Sequence, residues 1–175
     1  MIELKRNFLD QKQNKFLFYW IHENENLSGE EKKFFSVTYK KDEIPDYLKF
    51  AISDKFNLYN FLGFVSEKGG SVPPHIDTDL FVRIKEEYPD IIISLPETQL
   101  YYVDICEDMV GGFINANDQK FRPISNSSLT LPQNTLHSVD KIEHLTRPRT
   151  ALVIEKYFIF KKDLEKIKTP LYSKG

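Results

Sequence analysis

Hydrophobic and polar positions change rhythm along this chain, and the changes divide it into two parts. In the opening third, residues 15–22 (Lys-Phe-Leu-Phe-Tyr-Trp-Ile-His) and 34–39 (Phe-Phe-Ser-Val-Thr-Tyr) are dense in aromatic and β-branched side chains. They are separated by a polar connection, so the pair predicts two strands that extend a sheet. After Pro45, the apolar residues of 46–52 recur at intervals of three and four, which predicts a short amphipathic helix with proline near its first turn.

From Leu58 onward the pattern becomes short β runs with turn residues between them, at 58–66, 90–95, 99–106, 112–115, 128–131 and 151–160. That rhythm predicts a mainly β fold, a double-stranded β-helix of the jelly-roll, cupin-like kind with a few flanking α-helices. Within the long connection 78–97, residues 82–88 have helical character and end at Pro89, so this insertion is a candidate lid. The lysine-rich tail, 161–175, reads as a helix followed by a loose end.

Length and composition sharpen this picture. At 175 residues the chain fits one domain spanning 1–175, with a core at about 58–160 supported by the N-terminal elements. An aromatic share of 14% favours a pleated core over a helical bundle. A formal charge of −2 provides no positive field for phosphate contacts, so nucleic acid is not an expected partner. No apolar run approaches the roughly 20 residues a bilayer requires, and the N-terminus turns polar too soon for a signal peptide. We therefore expect no membrane association and a cytoplasmic location. The lone Cys106 has no partner for an internal disulfide, fits a reducing compartment and reads as core filler.

The chemistry lies in His75-Ile76-Asp77 and a distant His137. In an extended chain, residues two apart share a side, so His75 and Asp77 converge while Ile76 turns away. Two imidazoles and one carboxylate on one face of an ion leave the opposite positions open, the arrangement used by non-haem iron oxygenases. Zinc could occupy the same ligands. Pro73-Pro74 stiffens the approach to His75, and residues 131–137 read as a strand, a turn and a ligand-bearing strand. His22 and His144 fall outside this constellation and read as packing or surface residues.

Downstream, Arg149 opens the strand Arg149-Thr150-Ala151. A guanidinium fork there could satisfy the distal carboxylate of a dicarboxylate cosubstrate, with small Ala151 on the same face leaving room. Arg147 is a rival for that role, although Pro148 follows it and the strand starts later.

These motifs, across roughly residues 61–160, resemble the 2-oxoglutarate- and Fe(II)-dependent dioxygenase superfamily, specifically its prolyl hydroxylase-like branch. The order is His-x-Asp, a strand like Tyr101-Tyr102-Val103-Asp104, a double glycine like Gly111-Gly112-Phe113-Ile114, then the second histidine and an Arg-x-Ala strand. The resemblance implies that His75, Asp77 and His137 bind iron and carry catalysis. It also implies that Arg149 and the Tyr102 hydroxyl hold the distal carboxylate of 2-oxoglutarate, and that Ile114 lines the same pocket. Tyr102 could otherwise be an ordinary strand aromatic, and the glycine pair only a turn.

Three departures narrow the function. Val65-Ser66-Glu67 stands where many prolyl hydroxylases have a tyrosine, which weakens the case for peptidyl proline as substrate. Glu155 stands six residues after Arg149, where nucleic-acid demethylases of the superfamily usually have a second arginine. Asp77 retains the carboxylate that related halogenases lack.

The expected activity is therefore hydroxylation of an unactivated C–H bond, using Fe(II), 2-oxoglutarate and O2 and releasing succinate and CO2. A small polar metabolite or free amino acid is the favoured substrate, and a protein side chain is the competitor. Outside this class stand a cupin-like metal dioxygenase that does not use 2-oxoglutarate and a jelly-roll binding module without chemistry. Glu67, Lys68, Arg83, Asp104, Asn115 and Glu155 are candidates near the pocket mouth, with solvated surface the plainer reading for most.

Overall fold

The computed structural model describes residues 1–174. The chain starts with strand β1 (Glu3–Arg6), helix α1 (Gln11–His22), β2 (Lys32–Lys40), a 3-10 turn over Asp46–Ala51, β3 (Leu58–Ser66), β4 (Val72–His75) and α2 (Asp79–Glu87). Seven strands follow, β5 (Glu97–Asp104), β6 (Val110–Gly111), β7 (Ile114–Ala116), β8 (Gln119–Phe121), β9 (Ser127–Leu131), β10 (His137–Val139) and β11 (Ile142–His144). β12 (Arg149–Tyr157), α3 (Lys161–Leu164) and β13 (Leu171–Lys174) close the order.

The long strands make a seven-stranded sheet in the order β1-β9-β5-β12-β3-β2-β13. Facing elements form a four-stranded sheet, β4-β10-β7-β8, and a two-stranded ribbon, β11-β6. All the paired strands are antiparallel. Because side chains alternate across a strand, each long strand serves two environments. One face presents Phe35, Val37, Tyr59, Phe61, Tyr101, Leu152 and Ile154 to α1 and the Asp46–Ala51 turn, forming a closed apolar core. The other face points toward the smaller sheet and carries the chemistry described below.

The first predicted strand is a helix. Asp10 caps it by accepting a 2.8 Å hydrogen bond from the Gln13 backbone N–H, and Leu17 and Ile21, four residues apart, are its buried side chains. The continuous aromatic run hides that period, since Phe16 and Tyr19 on the outer face are half exposed at 47% and 48%. Aromatic density favoured a strand; the cap and the helical spacing of the buried pair prevail.

The predicted strand at 90–95 also fails to join a sheet. Its alternation is real, with Ile91 and Ile93 buried and Ile92 exposed, but among the described residues its only ladder contact is an isolated bridge from Ile93 to Ile159. The tail is another correction. After α3, residues Leu171–Lys174 pair antiparallel with β2 and complete the sheet, so they are not a loose end; Gly175 lies outside the described residues. The expected helix in the insertion is present and starts earlier, at Asp79. Leu80 and Ile84 anchor it in a third apolar cluster with Ile91, Tyr157 and Ile159. Among the described residues no helix is long and apolar enough to cross a membrane.

Candidate active site

His75 ends β4, and His137 begins β10 directly opposite it in the ladder, so strand register brings the two imidazoles together with ring centroids 4.3 Å apart. Asp77, just past β4, completes the group. One ligand atom from each of His75, Asp77 and His137 lies within 4.8 Å of the others. Asp77 Oδ1 is 3.1 Å from His75 Nε2, and Oδ2 is 3.6 Å from His137 Nε2.

The backbone sets which ring nitrogen faces inward. His75 Nδ1 lies 2.9 Å from the Pro73 carbonyl and His137 Nδ1 lies 3.0 Å from the Thr135 carbonyl, each two residues upstream. A carbonyl only accepts, so each Nδ1 carries its proton and donates, which turns both Nε2 atoms toward Asp77. Thr98 Oγ1 donates a 2.6 Å hydrogen bond to Asp77 Oδ2 and fixes that carboxylate. Burial alone would raise the Asp77 carboxyl, but the hydrogen bonds it accepts from Thr98 and from His75 in its protonated form, with the charge of a protonated His137, outweigh it and hold the group below its ordinary range. The same hydrogen bond raises the His75 imidazole above its usual value.

The three groups open onto a cavity of about 270 Å³ between the two sheets. At its far end, Arg149 and Tyr102 come from adjacent strands, β12 and β5. Their ladder shifts register at Thr150/Ala151, where Val103 is an extra residue on β5, and Tyr102 ends up beside Ala151. The Arg149 guanidinium lies 5.3 Å from the Tyr102 ring centroid, and its Nη1 donates a 2.8 Å hydrogen bond to the Gly112 carbonyl. Gly112 adopts φ +66°, and a Cβ on it would press to 3.1 Å from Ile142 and 3.2 Å from the Met109 sulfur. Gly111, at φ +80°, admits no side chain at all, since a Cβ would sit 2.1 Å from the Lys141 carbonyl. The double glycine is thus a turn and also the support for the Arg149 fork.

Arg149 is only 7% exposed, and among the described residues no carboxylate pairs with it. Burial lowers its pKa, with the nearby Tyr102 working in the opposite sense. The Tyr102 hydroxyl is buried with no hydrogen-bond partner among the described residues, and burial raises it well above the usual phenol range. Burying a cation without a counter-charge and a hydroxyl without an acceptor is costly. Both groups fit an anionic ligand such as the distal carboxylate of a dicarboxylic acid, and the two imidazoles with one carboxylate fit a divalent metal such as Fe(II). Ile114 is buried and lines the same cavity.

Arg147 stands elsewhere. It is exposed and makes a two-pronged ion pair with Asp104 at 2.8 and 3.0 Å, which leaves it outside the cavity. His144 pairs at the surface with Asp108 at 3.3 Å, and His22 Nε2 contacts the Thr150 hydroxyl at 2.8 Å behind the sheet. Of the residues expected near the mouth, Glu67 and Lys68 are exposed, Arg83 faces out from α2, and Asn115 is engaged by Asp140 at 2.6 Å.

Glu155 is different. It is 4% exposed, lines the cavity and accepts 2.8 Å hydrogen bonds on Oε2 from both Asn60 and Tyr157. Burial, with the nearby Asp77 charge, pushes its carboxyl up to about 7 despite those bonds. Sequence reasoning missed Thr98 and Asn60 altogether, because their importance comes from pairing across strands, Thr98 and Asn60 both standing opposite Glu155.

No protein-family model matches the sequence, and no curated protein matches it. Solved structures do. A Pseudomonas putida prolyl-4-hydroxylase superposes with a TM-score of 0.61 at 13% identity, over 90% of this chain and 92% of that one. A 2OG-Fe(II) oxygenase family oxidoreductase from Burkholderia pseudomallei gives 0.60 at 10% identity, over 90% and 84%. A Trichoplax adhaerens prolyl hydroxylase, solved with a hypoxia inducible factor peptide fragment, gives 0.56 at 14% identity, over 96% and 87%. The fold of this chain is the double-stranded β-helix that these oxygenase structures share.

Proposed function

We propose that this protein is an Fe(II)- and 2-oxoglutarate-dependent dioxygenase that hydroxylates an unactivated C–H bond of a small polar metabolite or amino acid. The observation that carries this reading is the layout of one cavity, with a His75, Asp77, His137 ligand set at one end and, at the other, the Tyr102 hydroxyl and a buried Arg149 that pairs with no carboxylate among the described residues. A keto acid with a second carboxylate is the kind of molecule that satisfies both ends at once.

His75, Asp77 and His137 would hold the metal from one side, with Thr98 keeping the Asp77 carboxylate in place. Arg149, braced by the Gly112 carbonyl, and Tyr102 would orient the distal carboxylate of 2-oxoglutarate. When bound, the metal and the keto acid supply oxidation of the C–H bond by O2, with succinate and CO2 as the other products. Apolar walls from Leu100, Ile114, Val139 and Val153 keep water away from the reacting atoms. No side chain of the site is needed as a general base.

A peptide side chain is the second substrate reading, favoured by the peptide seen with the Trichoplax adhaerens structure. The test is an anaerobic titration of the apoprotein with Fe(II) and then 2-oxoglutarate, watching for the weak visible band of a keto acid chelated to iron. Its appearance is the expected result, followed by succinate release as the assay for substrates. Iron binding without the band favours the cupin-like alternative, and His137→Ala should abolish iron binding itself.

A further inference from the structure

We propose that Glu155 is the specificity-determining residue of this site and that its carboxylate pairs with an ammonium or guanidinium group of the substrate beside the metal ligands. This inference rests on the dioxygenase reading and names the substrate class that reading leaves open.

The cavity has two charged ends. Arg149 and Glu155 lie on the same inward row of β12, with Ala151 and Val153 between them, and all four line the cavity. Six residues of strand span roughly 20 Å, so the two charges occupy opposite ends. Arg149 sits at the end that suits a carboxylate. Glu155 pairs in register with Thr98, whose hydroxyl holds Asp77, so Glu155 belongs to the metal end.

A rigid network fixes the Glu155 carboxylate. Thr38 Oγ1 donates to Asn60 Oδ1 at 3.0 Å, which orients the Asn60 amide so that its nitrogen donates to Glu155 Oε2 at 2.8 Å. The Tyr157 hydroxyl donates to the same oxygen at 2.8 Å. Among the described residues no donor reaches Oε1. The result is a preorganised acceptor, nine-tenths or more buried, with one oxygen left for a ligand.

Charge accounting favours a cation over a neutral donor. A divalent metal with the keto acid carboxylate and Asp77 comes to no net charge, and Arg149 answers the distal carboxylate. Lys32 also lines the cavity, but strand register places it with Ser66 and Arg149 at the opposite end, so Glu155, with Asp79 also lining the cavity, remains unanswered. A buried carboxyl group with no counter-charge gains one when a cation binds beside it, so such a site discriminates strongly between a cation and its uncharged isostere.

The experiment uses protein loaded anaerobically with Fe(II) and 2-oxoglutarate. It is titrated with L-lysine and L-arginine and with their neutral counterparts L-norleucine and L-citrulline, each free and as the N-acetyl amide. Binding is read from perturbation of the visible band and from melting temperature. At least one cationic probe should bind about tenfold or more tightly than its counterpart. Glu155→Gln, which keeps an oxygen for Asn60 and Tyr157, should erase that preference while binding Fe(II) and 2-oxoglutarate as before. Equal binding of charged and neutral partners, no binding by any of the cations, or a preference that survives in Glu155→Gln would overturn the proposal. If Glu155→Gln does not fold, the comparison of charged with neutral probes on the wild type still decides. Absence of the visible band before any probe is added is a separate result that removes the dioxygenase reading instead.

Discussion

The two faces of the seven-stranded sheet are built by the same strands and have opposite character. On the face covered by α1, alternate residues such as Phe35, Phe61 and Leu152 are completely buried in apolar contacts. On the face toward β4 and β10, the intervening residues include Arg149, Tyr102 and Glu155, which line a cavity, with Thr98 and Asn60 paired beside Glu155. The first face gives up apolar surface to stabilise the fold. The second keeps polar groups away from water without fully satisfying them, a cost that bound ligands can offset. A shift of one residue in register would exchange these roles, so the pairing that makes the core also makes the site.

The largest test of this contrast is Phe61→Ala on the closed face. It should destabilise the apoprotein by about 3–5 kcal/mol in urea unfolding, the usual cost of emptying a large aromatic site. Fe(II) binding by the molecules that remain folded should be unchanged. A loss below about 1 kcal/mol would mean that this face is not the main source of stability.

Arg149→Ala on the open face should do the reverse. Affinity for 2-oxoglutarate should fall about a hundredfold or more, as expected when a buried carboxylate loses its charged partner. The metal stoichiometry should stay the same, and apoprotein stability should hold or rise as an unpaired buried cation disappears. Unchanged affinity for 2-oxoglutarate would mean that another cation holds the carboxylate, with Lys32, which lines the same cavity, the first place to look.

Glu155→Gln sharpens the comparison through pH. Below the ordinary glutamic acid pKa of 4.5, Glu155 is protonated in both the folded and unfolded chains and costs nothing. Between 4.5 and about 7 the unfolded chain releases the proton while the folded one keeps it, so this group makes stability fall as pH rises. Above about 7 the full penalty is present, about 3 kcal/mol. The variant apoprotein should therefore gain stability over wild type from pH 5 to pH 8, measured by chemical unfolding at both pH values. A constant difference would mean that Glu155 ionises normally.

The smallest effect belongs to Arg147→Ala. Its ion pair with Asp104 is exposed, so loss of stability should stay below about 1 kcal/mol, and 2-oxoglutarate affinity should not move.

Legibility in the sequence follows the same division. The strands at 58–66 and 128–131 emerge from the alternation almost at their observed bounds, because one apolar face per strand is a strong local signal. α1 was hidden because Phe16, Phe18, Tyr19 and Trp20 surround its true buried pair with equally apolar neighbours. The tail misled because lysine and proline read as loose chain, whereas β13 is held by the ladder of β2, and nothing local encodes that pairing. At the site, His75, Asp77 and His137 stood out as residue types with a spacing. Thr98 and Asn60 did not, since neither has distinctive chemistry until register sets it opposite Glu155.

The outermost strands of the large sheet, β1 and β13, carry a further consequence. Each is four residues long, while β2 next to β13 has nine residues that include Phe34, Phe35 and Val37. A long apolar edge is a template on which another chain can pair. β13 pairs with Phe35–Thr38 and so covers the middle of this edge. Without residues 171–174, the same edge would become a sticky seam, and solubility would fail before folding did.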